Sequence, residues 1–319
     1  MAYYRPKIDK PEFTEDFMIT SLELTTEQIA IEAVRRLVVL ESTSENEIDP
    51  RNRLNDLPGK IWIQETKSVW RQKGLGADHE HAHFERLHPA PFSFQDVARL
   101  IRFFTKAEQS VLDPFVGVGS TLKACAYLRR FGTGVELSEH WADLARRRLE
   151  TETLNPKTQK IVVGDIRDKI ANIADDSFDF IVTSPPYWSI LQKTKDYKAQ
   201  ERIQQGLAHR YSDSKRDLGN IPSYDDFVEE LADIFARLAT KLRCKQYMAV
   251  VVSDFKHGRR FYPFHSDLYN LIQERTDLLE LQGVTILEQT HKALKPYGYP
   301  YSYVPNVHHQ YVLIFRRTK

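Results

Sequence analysis

Short apolar runs alternate with helical segments between about residues 94 and 183 of this 319-residue chain. Apolar residues recur at helical spacing over 94–106, 120–129 and 139–150, and the runs between them have the length of strands. The predicted strands are 111–112, 132–136, 161–164 and 178–183. Because strands that alternate with helices form βαβ units, this region predicts a parallel sheet with helices on both faces.

The second half of the chain continues this pattern and then changes it. Helices are predicted at 224–241 and 265–275, with the strand YMAVVVSDF at 247–255 between them. The last two strands, 283–289 and 309–316, are joined by a loop rich in proline and tyrosine that has no helical pattern. Since strands joined without a crossover helix pair antiparallel, we expect a mostly parallel α/β sheet that ends in an antiparallel pair.

The region before residue 84 differs from the α/β region. Apolar residues at helical spacing predict a helix over 26–40, and the polar run ESTSENEIDPRN that follows it predicts a linker. We therefore expect an N-terminal extension at 1–83 and an α/β domain at 84–319.

Several protein classes are excluded by what the sequence lacks. The chain has no run of about 18 apolar residues, and its N-terminus MAYYRPKIDKPEFTED is polar. We therefore expect a cytoplasmic protein without a membrane span or a secretory signal. Cys125 and Cys244 have no metal-ligand spacing, so we expect neither a structural zinc site nor a disulfide framework.

The segment VLDPFVGVGST at 111–121 predicts a ligand-binding turn between a strand and a helix. Gly117 and Gly119 permit a tight turn and let a ligand approach the backbone without interference from a Cβ atom. The segment lacks the third glycine of the dinucleotide-binding fingerprint, and Asp113 precedes the glycines. The turn therefore indicates a different nucleoside cofactor.

Two further acidic residues follow the next two predicted strands. Glu136 lies about 20 residues after the glycines, at the position where a carboxylate accepts hydrogen bonds from both hydroxyls of a ribose. Asp165 follows the strand at 161–164, where its carboxylate is a candidate acceptor for an adenine amino group. Because the carboxyl ends of parallel strands meet at one edge of a sheet, Asp113, Glu136 and Asp165 are expected to converge there.

Three segments together resemble the amino-group DNA methyltransferases. DPFVGVGST resembles the cofactor motif of that family, TSPPYW at 183–188 resembles its catalytic tetrapeptide, and RLHPAPFSFQDVARLI resembles the segment that covers the methionine end of the cofactor. The resemblance extends over about residues 84–316. It implies a Rossmann-like class I methyltransferase sheet, S-adenosyl-L-methionine as the cofactor, and a catalytic domain at 84–319.

The resemblance and the turn chemistry give a set of candidate cofactor-binding residues. They are His88, Pro89, Phe92, Asp113, Phe115, Gly117, Gly119, Ser120, Thr121, Glu136, Leu137, Asp165 and Ile166.

The tetrapeptide Ser184, Pro185, Pro186 and Tyr187 is the candidate catalytic site. An exocyclic amine is a poor nucleophile, and hydrogen bonds to a main-chain carbonyl and a side-chain oxygen would aim it at the sulfonium methyl group. Prolines fix where the carbonyls point, and the tyrosine ring is a stacking surface for a base that has left the helix. Positioning therefore carries the catalysis, without a covalent nucleophile.

Serine in the first position resembles the N4-cytosine subgroup, so we expect methylation of the exocyclic N4 amine of cytosine. An N6-adenine DNA methyltransferase and an RNA base methyltransferase remain alternatives with the same fold. A noncatalytic nucleic-acid-binding protein is a third alternative, but it predicts a disrupted turn or tetrapeptide, and both are intact here. A C5-cytosine enzyme is disfavoured because neither Cys125 nor Cys244 follows a proline.

Local charge indicates where DNA is contacted. Residues 189–217 contain seven Lys or Arg against four Asp or Glu, and residues 51–73 contain six against two, with Trp62 and Trp70 between them. We therefore expect a target-recognition loop at 189–221 and a contribution from the extension 1–83. The candidate DNA-binding residues are Lys193, Lys195, Lys198, Arg210, Arg259 and Arg260. The expected partners are double-stranded DNA and a candidate restriction endonuclease of the same system, with the protein a monomer or a homodimer.

Overall fold

The computed structural model describes most of the chain. Its described residues are 47–72, 82–188, 204, 208, 211–290 and 292–319. The helix predicted over 26–40 lies outside them. None of the described helices is long and apolar enough to cross a membrane.

Eight strands form one mixed sheet, and two short strands form a separate hairpin. In chain order the strands are β1 (Val69–Gln72), β2 (Ser110–Asp113), β3 (Phe131–Glu136), β4 (Lys160–Val163), β5 (Phe178–Thr183), β6 (Leu242–Val252), β7 (Phe255–His257), β8 (Arg260–Tyr262), β9 (Leu279–Gln289) and β10 (His309–Arg317). The order across the sheet is β1-β9-β10-β6-β5-β2-β3-β4, and β7 pairs with β8.

The pairing directions confirm the predicted mixture of parallel and antiparallel strands. β6, β5, β2, β3 and β4 run parallel to one another, whereas β10 is antiparallel to both β6 and β9. In the predicted antiparallel pair, Tyr311 lies opposite Ile286. The carboxyl ends of β2, β3, β4, β5, β6 and β9 therefore lie at the same edge of the sheet.

Helices cover both faces of the sheet. Those described are α1 (Gly59–Glu65), α2 (Ala82–Leu87), α3 (Phe94–Phe104), α4 (Ser120–Tyr127), α5 (Glu139–Glu152), α6 (Ile166–Lys169), α7 (Tyr224–Leu238) and α8 (Phe264–Arg275). Serine side chains cap two of them at the amino end, where Ser93 accepts from the Asp96 amide and Ser223 from the Asp226 amide.

Strand β6 shows how the core is divided between the two faces. Met248 and Val250 pack with α7 and α8 on one face, whereas Ala249 and Val251 pack with α3 on the other. Side chains alternate along a strand, so a central strand buried on both faces has a continuous apolar sequence. The run YMAVVV meets this requirement.

Part of the predicted N-terminal extension belongs to this sheet. Strand β1 pairs in parallel with β9, and Trp70 is only 4% exposed, with the Arg99 guanidinium 3.7 Å from its ring centroid. Trp62 packs against Phe103 with ring centroids 5.3 Å apart. The basic stretch 51–73 predicted that Trp70 faces DNA. Its ring is instead buried in the core beneath the edge of the sheet, so it is not available for such a contact.

Candidate active site

A pocket of about 850 Å³ lies at the carboxyl ends of the parallel strands. Nine of the fourteen predicted cofactor-binding and catalytic residues after residue 100 line it. The predicted residues in its lining are His88, Phe92, Phe115, Gly117, Ser120, Glu136, Leu137, Asp165, Ile166, Ser184 and Pro186. The structure therefore brings residues from both predicted motifs into one cavity.

The two glycines of the turn have different surroundings. Both have positive φ angles, 51° at Gly117 and 78° at Gly119. A Cβ atom on Gly117 would lie 3.4 Å from Nε2 of His88, whereas one on Gly119 would lie 3.0 Å from Cβ of Ala145 in α5. Gly117 therefore faces the pocket, and Gly119 permits close packing of the turn against a helix.

Asp113 is buried beneath the turn and does not line the pocket. Its carboxylate accepts hydrogen bonds from the Phe115 amide at 3.0 Å, from Oγ1 of Thr183 at 2.6 Å and from the hydroxyl of Thr121. Burial raises the pKa of Asp113 to about 6. These bonds join β2, α4 and β5, so Asp113 and Thr121 hold the turn in place, whereas the sequence placed them among the cofactor contacts.

Glu136 is held beside the glycine turn. Its Oε2 atom accepts from the Gly117 amide and its Oε1 atom from the Ser138 amide, both at 2.9 Å. Burial raises the pKa of Glu136 to about 7, although the two amide bonds oppose this shift. Each carboxylate oxygen has a further lone pair, so Glu136 can still accept from two hydroxyl groups in the pocket.

Asp165 is surrounded by two guanidinium groups. It caps α6 by accepting from the Arg167 amide at 2.9 Å, and it also accepts from Nε of Arg167 at 2.9 Å and from Nε of Arg216 at 2.7 Å. Burial acts to raise the pKa of Asp165, but the bonds from Arg167 and Arg216 outweigh it, and the pKa lies below its usual value. Few lone pairs of this carboxylate remain for an adenine amino group.

An aromatic wall on one side of the pocket was not fully predicted. The ring of His88 lies 4.8 Å from that of Trp141 and 5.6 Å from that of Tyr211, and Nε1 of Trp141 donates to the Tyr211 carbonyl at 2.8 Å. Pro89 does not line the pocket, whereas Ala90 and Pro91 do. The sequence signal for Trp141 was its position in the first turn of the helix that follows Glu136.

A buried ion pair fastens the glycine turn to the segment that carries His88. Arg148 of α5 is fully buried, and its guanidinium donates to Oε1 of Glu85 at 3.0 Å and to Oγ of Ser120 at 2.9 Å. Glu85 also accepts from the Phe94 amide at 3.0 Å. Arg148 therefore links α5, the turn and the segment 82–94.

The predicted catalytic turn, residues 184–187, has two residues in the pocket and two outside it. Ser184 and Pro186 contribute to the lining, whereas Pro185 and Tyr187 do not. The Tyr187 ring lies 6.3 Å from that of Phe264, centroid to centroid, and burial raises the pKa of Tyr187 to about 12. The turn therefore contributes Ser184 and Pro186 to the pocket, while the Tyr187 ring packs near Phe264 of α8.

A chain of three glutamine side chains reaches Tyr187 from the far edge of the sheet. Nε2 of Gln310 donates to Oη of Tyr187 at 3.3 Å, and Oε1 of Gln310 accepts from Nε2 of Gln289 at 3.2 Å. The same Nε2 atom donates to Oε1 of Gln72 at 2.9 Å, and Gln72 donates to the Asp96 carboxylate. Burial raises the pKa of Asp96, and the bond from Gln72 opposes this shift. The three amides therefore connect Tyr187 to a buried carboxyl group in α3.

Only two of the predicted DNA-binding residues lie within the described part of the chain. Arg259 and Arg260 are exposed at the turn of the β7–β8 hairpin, where the Arg260 guanidinium lies 4.9 Å from the Tyr262 ring centroid. The remaining four, Lys193, Lys195, Lys198 and Arg210, lie outside the described residues. The role of all six in DNA binding stays a prediction.

The sheet order and the pocket at the ends of the parallel strands define a Rossmann-like methyltransferase fold, as predicted. Residues 25–147 match the N6/N4 DNA methylase family, and residues 112–198 match a methyltransferase domain. The first match begins within the predicted N-terminal extension.

Two curated type II methyltransferases agree with these matches. The type II methyltransferase M.BglII of Bacillus subtilis is 29% identical over 101 residues, which are 32% of this chain and 27% of that protein. M.ScaI of Streptomyces caespitosus is 32% identical over 85 residues, 26% of this chain and 28% of that protein. The chain thus matches less than a third of the length of these curated relatives. The solved structure of TrmN from Thermus thermophilus has a TM-score of 0.43 and 15% identity over 70% of this chain and 48% of that one.

These matches support the amino-methyltransferase family that the sequence motifs predicted. The matches to methyltransferases support S-adenosylmethionine as the cofactor, as the sequence predicted.

Proposed function

We propose that this protein transfers a methyl group from S-adenosylmethionine to an exocyclic amine of a DNA base, the N4 amine of cytosine. One observation carries the proposal. Gly117 and Glu136 of the cofactor segments line the same pocket as Ser184 and Pro186 of the catalytic turn. A methyl donor bound at one end of this pocket would therefore present its reactive group to a base held at the other.

The residues of the pocket fit the proposed cofactor. Glu136 would accept from the ribose hydroxyls, and His88 and Trp141 offer apolar faces to the remainder of the molecule. Asp165 is occupied by Arg167 and Arg216, so a contact with the adenine amino group would use its remaining lone pair or replace one guanidinium bond.

The catalytic turn would act by holding the amine in line with the methyl group. S-adenosylmethionine supplies an electrophilic methyl group bound to a positively charged sulfur. Ser184 and a main-chain carbonyl of the turn accept hydrogen bonds from the amine, which directs its lone pair towards the pocket. Tyr187 stacks on the extruded base. An amine held in this way would be in line to accept the methyl group from the sulfur, and its proton would leave to solvent.

The choice of cytosine rests on the first residue of the turn. Ser184 occupies the position where the N4-cytosine subgroup carries serine, so we assign cytosine as the target base. Double-stranded DNA is the proposed partner, and a restriction endonuclease of the same system is a candidate second partner.

Methyl transfer to matched nucleic acids tests the proposal. Purified protein is incubated with S-adenosylmethionine carrying a labelled methyl group and with genomic DNA, or with RNA of comparable sequence complexity. We expect label in DNA, recovered as N4-methylcytosine. Recovery as N6-methyladenine would replace the proposed base and keep the reaction, whereas label in RNA alone would contradict the proposal.

A further inference from the structure

The loop between β9 and β10 exposes an unusual number of aromatic rings. We call residues 290–308 the tyrosine loop. Tyr299, Tyr301 and Tyr303 are 80%, 93% and 90% exposed, and Tyr297 is 56% exposed. Tyrosine normally buries most of its ring, and an exposed cluster of rings marks an interaction surface.

Hydrogen bonds within the loop give it a defined shape. The Asn306 side chain accepts from the Lys295 amide at 2.8 Å and donates to the Lys295 carbonyl at 2.9 Å. Gly298, with φ of 76°, accepts at its carbonyl from the amides of Tyr301 and Ser302, both at 2.7 Å. The rings are therefore presented from an ordered turn, which reduces the entropy lost when a partner binds.

The loop begins and ends beside the catalytic turn. Its base is closed by the Gln289 amide, which donates to the His308 carbonyl at 2.8 Å. Gln310, two residues after the loop, donates to Oη of Tyr187. β6 and β9 are both antiparallel to β10, so they run in the same direction. The loop after β9 therefore leaves the sheet at the edge that holds the pocket.

The charge of the loop restricts its partner. Residues 290–308 contain Lys292 and Lys295 and no aspartate or glutamate. Exposed rings combined with positive charge suit nucleic acid, whose bases stack on aromatic side chains and whose phosphates attract lysine.

We propose that the tyrosine loop is a DNA-docking surface whose rings stack on bases next to the extruded target. The proposal rests on the proposed function, since DNA must approach this edge to place a base beside Tyr187. Neither the segment 189–221 nor the extension 1–83, which the sequence indicated for target reading, includes this loop.

The test compares two double variants of the most exposed rings. Tyr301→Ala with Tyr303→Ala removes both rings, whereas Tyr301→Phe with Tyr303→Phe retains them. Phe131→Ala with Leu154→Ala is the control, because these exposed apolar side chains lie before or at the amino ends of β3 and β4, away from the pocket. Fluorescence anisotropy measures the affinity of each protein for a mixed-sequence single strand and its duplex over a salt series, and thermal melting checks folding.

We expect the alanine pair to weaken binding of the single strand by at least about five-fold for each ring. The phenylalanine pair and the control pair should bind as the wild type does. The dependence of affinity on salt should keep its slope in the alanine pair, because the rings neutralise no phosphates.

Three results would overturn the proposal. The first is an alanine pair that binds both DNAs as tightly as the wild type does. The second is a phenylalanine pair that loses as much affinity as the alanine pair. A third is a change of sedimentation from dimer to monomer with DNA affinity unchanged, which would assign the loop to contact with a second copy.

Methyl transfer by the wild type separates this proposal from the proposed function. A wild type that methylates DNA, combined with normal binding by the alanine pair, overturns the tyrosine loop alone. A wild type that binds DNA through these rings but transfers no methyl group overturns the proposed function alone.

Discussion

The side-chain amide of Gln310 donates a hydrogen bond to the hydroxyl oxygen of Tyr187 at 3.3 Å. Gln310 lies on β10, and Tyr187 lies in the turn after β5, on the far side of β6. This bond fixes one edge of the tyrosine ring that we expect to stack on the target base. Through Gln289 and Gln72, it also connects that ring to β1 at the edge of the sheet.

Replacing Gln310 should therefore slow methyl transfer. We expect Gln310→Leu to lower kcat by about two- to ten-fold, the range that corresponds to one hydrogen bond, with S-adenosylmethionine affinity unchanged. In a Tyr187→Phe background the same change should have little further effect, because the hydroxyl that it acts through is absent. Gln64→Leu, at an exposed position, is the control. If the losses of kcat in the double-mutant cycle are additive, or if Gln64→Leu loses as much, Gln310 does not act through Tyr187.

Cofactor affinity should depend on pH through Glu136. The raised pKa of about 7 means that the carboxyl group is protonated in acid and ionised above neutrality. Ribose hydroxyls donate to the ionised form, so affinity for S-adenosylmethionine should increase as the pH rises through about 7 and then level off. Calorimetry over this range provides the measurement.

Glu136→Gln is the matched control for this pH dependence. A pH dependence that comes from titration of the ligand itself persists in this variant. The part of the pH dependence of affinity that comes from Glu136 should disappear. Glu136→Ala should weaken binding at high pH by about 1–3 kcal/mol because charged hydrogen bonds are lost. Parallel pH profiles for the wild type and Glu136→Gln would contradict the assignment.

Two neighbouring arginines of α5 should differ greatly in their effect on stability. Arg148→Met leaves Glu85 buried without its charged partner, and we expect the free energy of unfolding to fall by about 3–5 kcal/mol. Arg146→Met breaks exposed pairs with Glu139 and Asp143, and its cost should be about 0–1 kcal/mol. Urea titration measures both, and similar midpoints for the two variants would refute the structural role of Arg148.

The basic segment after the catalytic turn should contribute to DNA affinity. Neutralising Lys193, Lys195 and Lys198 together should weaken DNA binding. It should also reduce the slope of log affinity against log salt concentration, by the amount that corresponds to up to about three phosphate contacts. Affinity measured over a salt series distinguishes this from a solvated segment, which would leave both affinity and slope as in the wild type. In that case target recognition would depend on other parts of the chain.

Local sequence predicted most of the elements but not the contacts between distant ones. The strand at 178–183 has the predicted bounds, and Gly117 and Glu136 meet as expected, because strand order places successive carboxyl ends at one edge. The burial of Asp113 depends on Thr183, which is 70 residues away in the sequence. No spacing rule relates these two residues, so the inward orientation of Asp113 was not predictable.

The same limit explains the strand at the edge of the sheet. Val69–Gln72 has only four residues, with burial alternating along it, and its partner β9 lies more than 200 residues later. Trp70 therefore looked like an aromatic residue within a basic surface segment. Arg148 was missed for a related reason, since its partners Glu85 and Ser120 come from two other elements.

Nucleoside analysis of DNA from cells that produce this protein tests the central claim most directly. DNA is digested to nucleosides, and mass spectrometry measures N4-methylcytosine and N6-methyladenine for the wild type and for Tyr187→Ala. We expect N4-methylcytosine with the wild type and at least about a five-fold loss with Tyr187→Ala, since base stacking is removed. If a folded wild-type protein leaves both exocyclic amines unmethylated, the proposed reaction is contradicted.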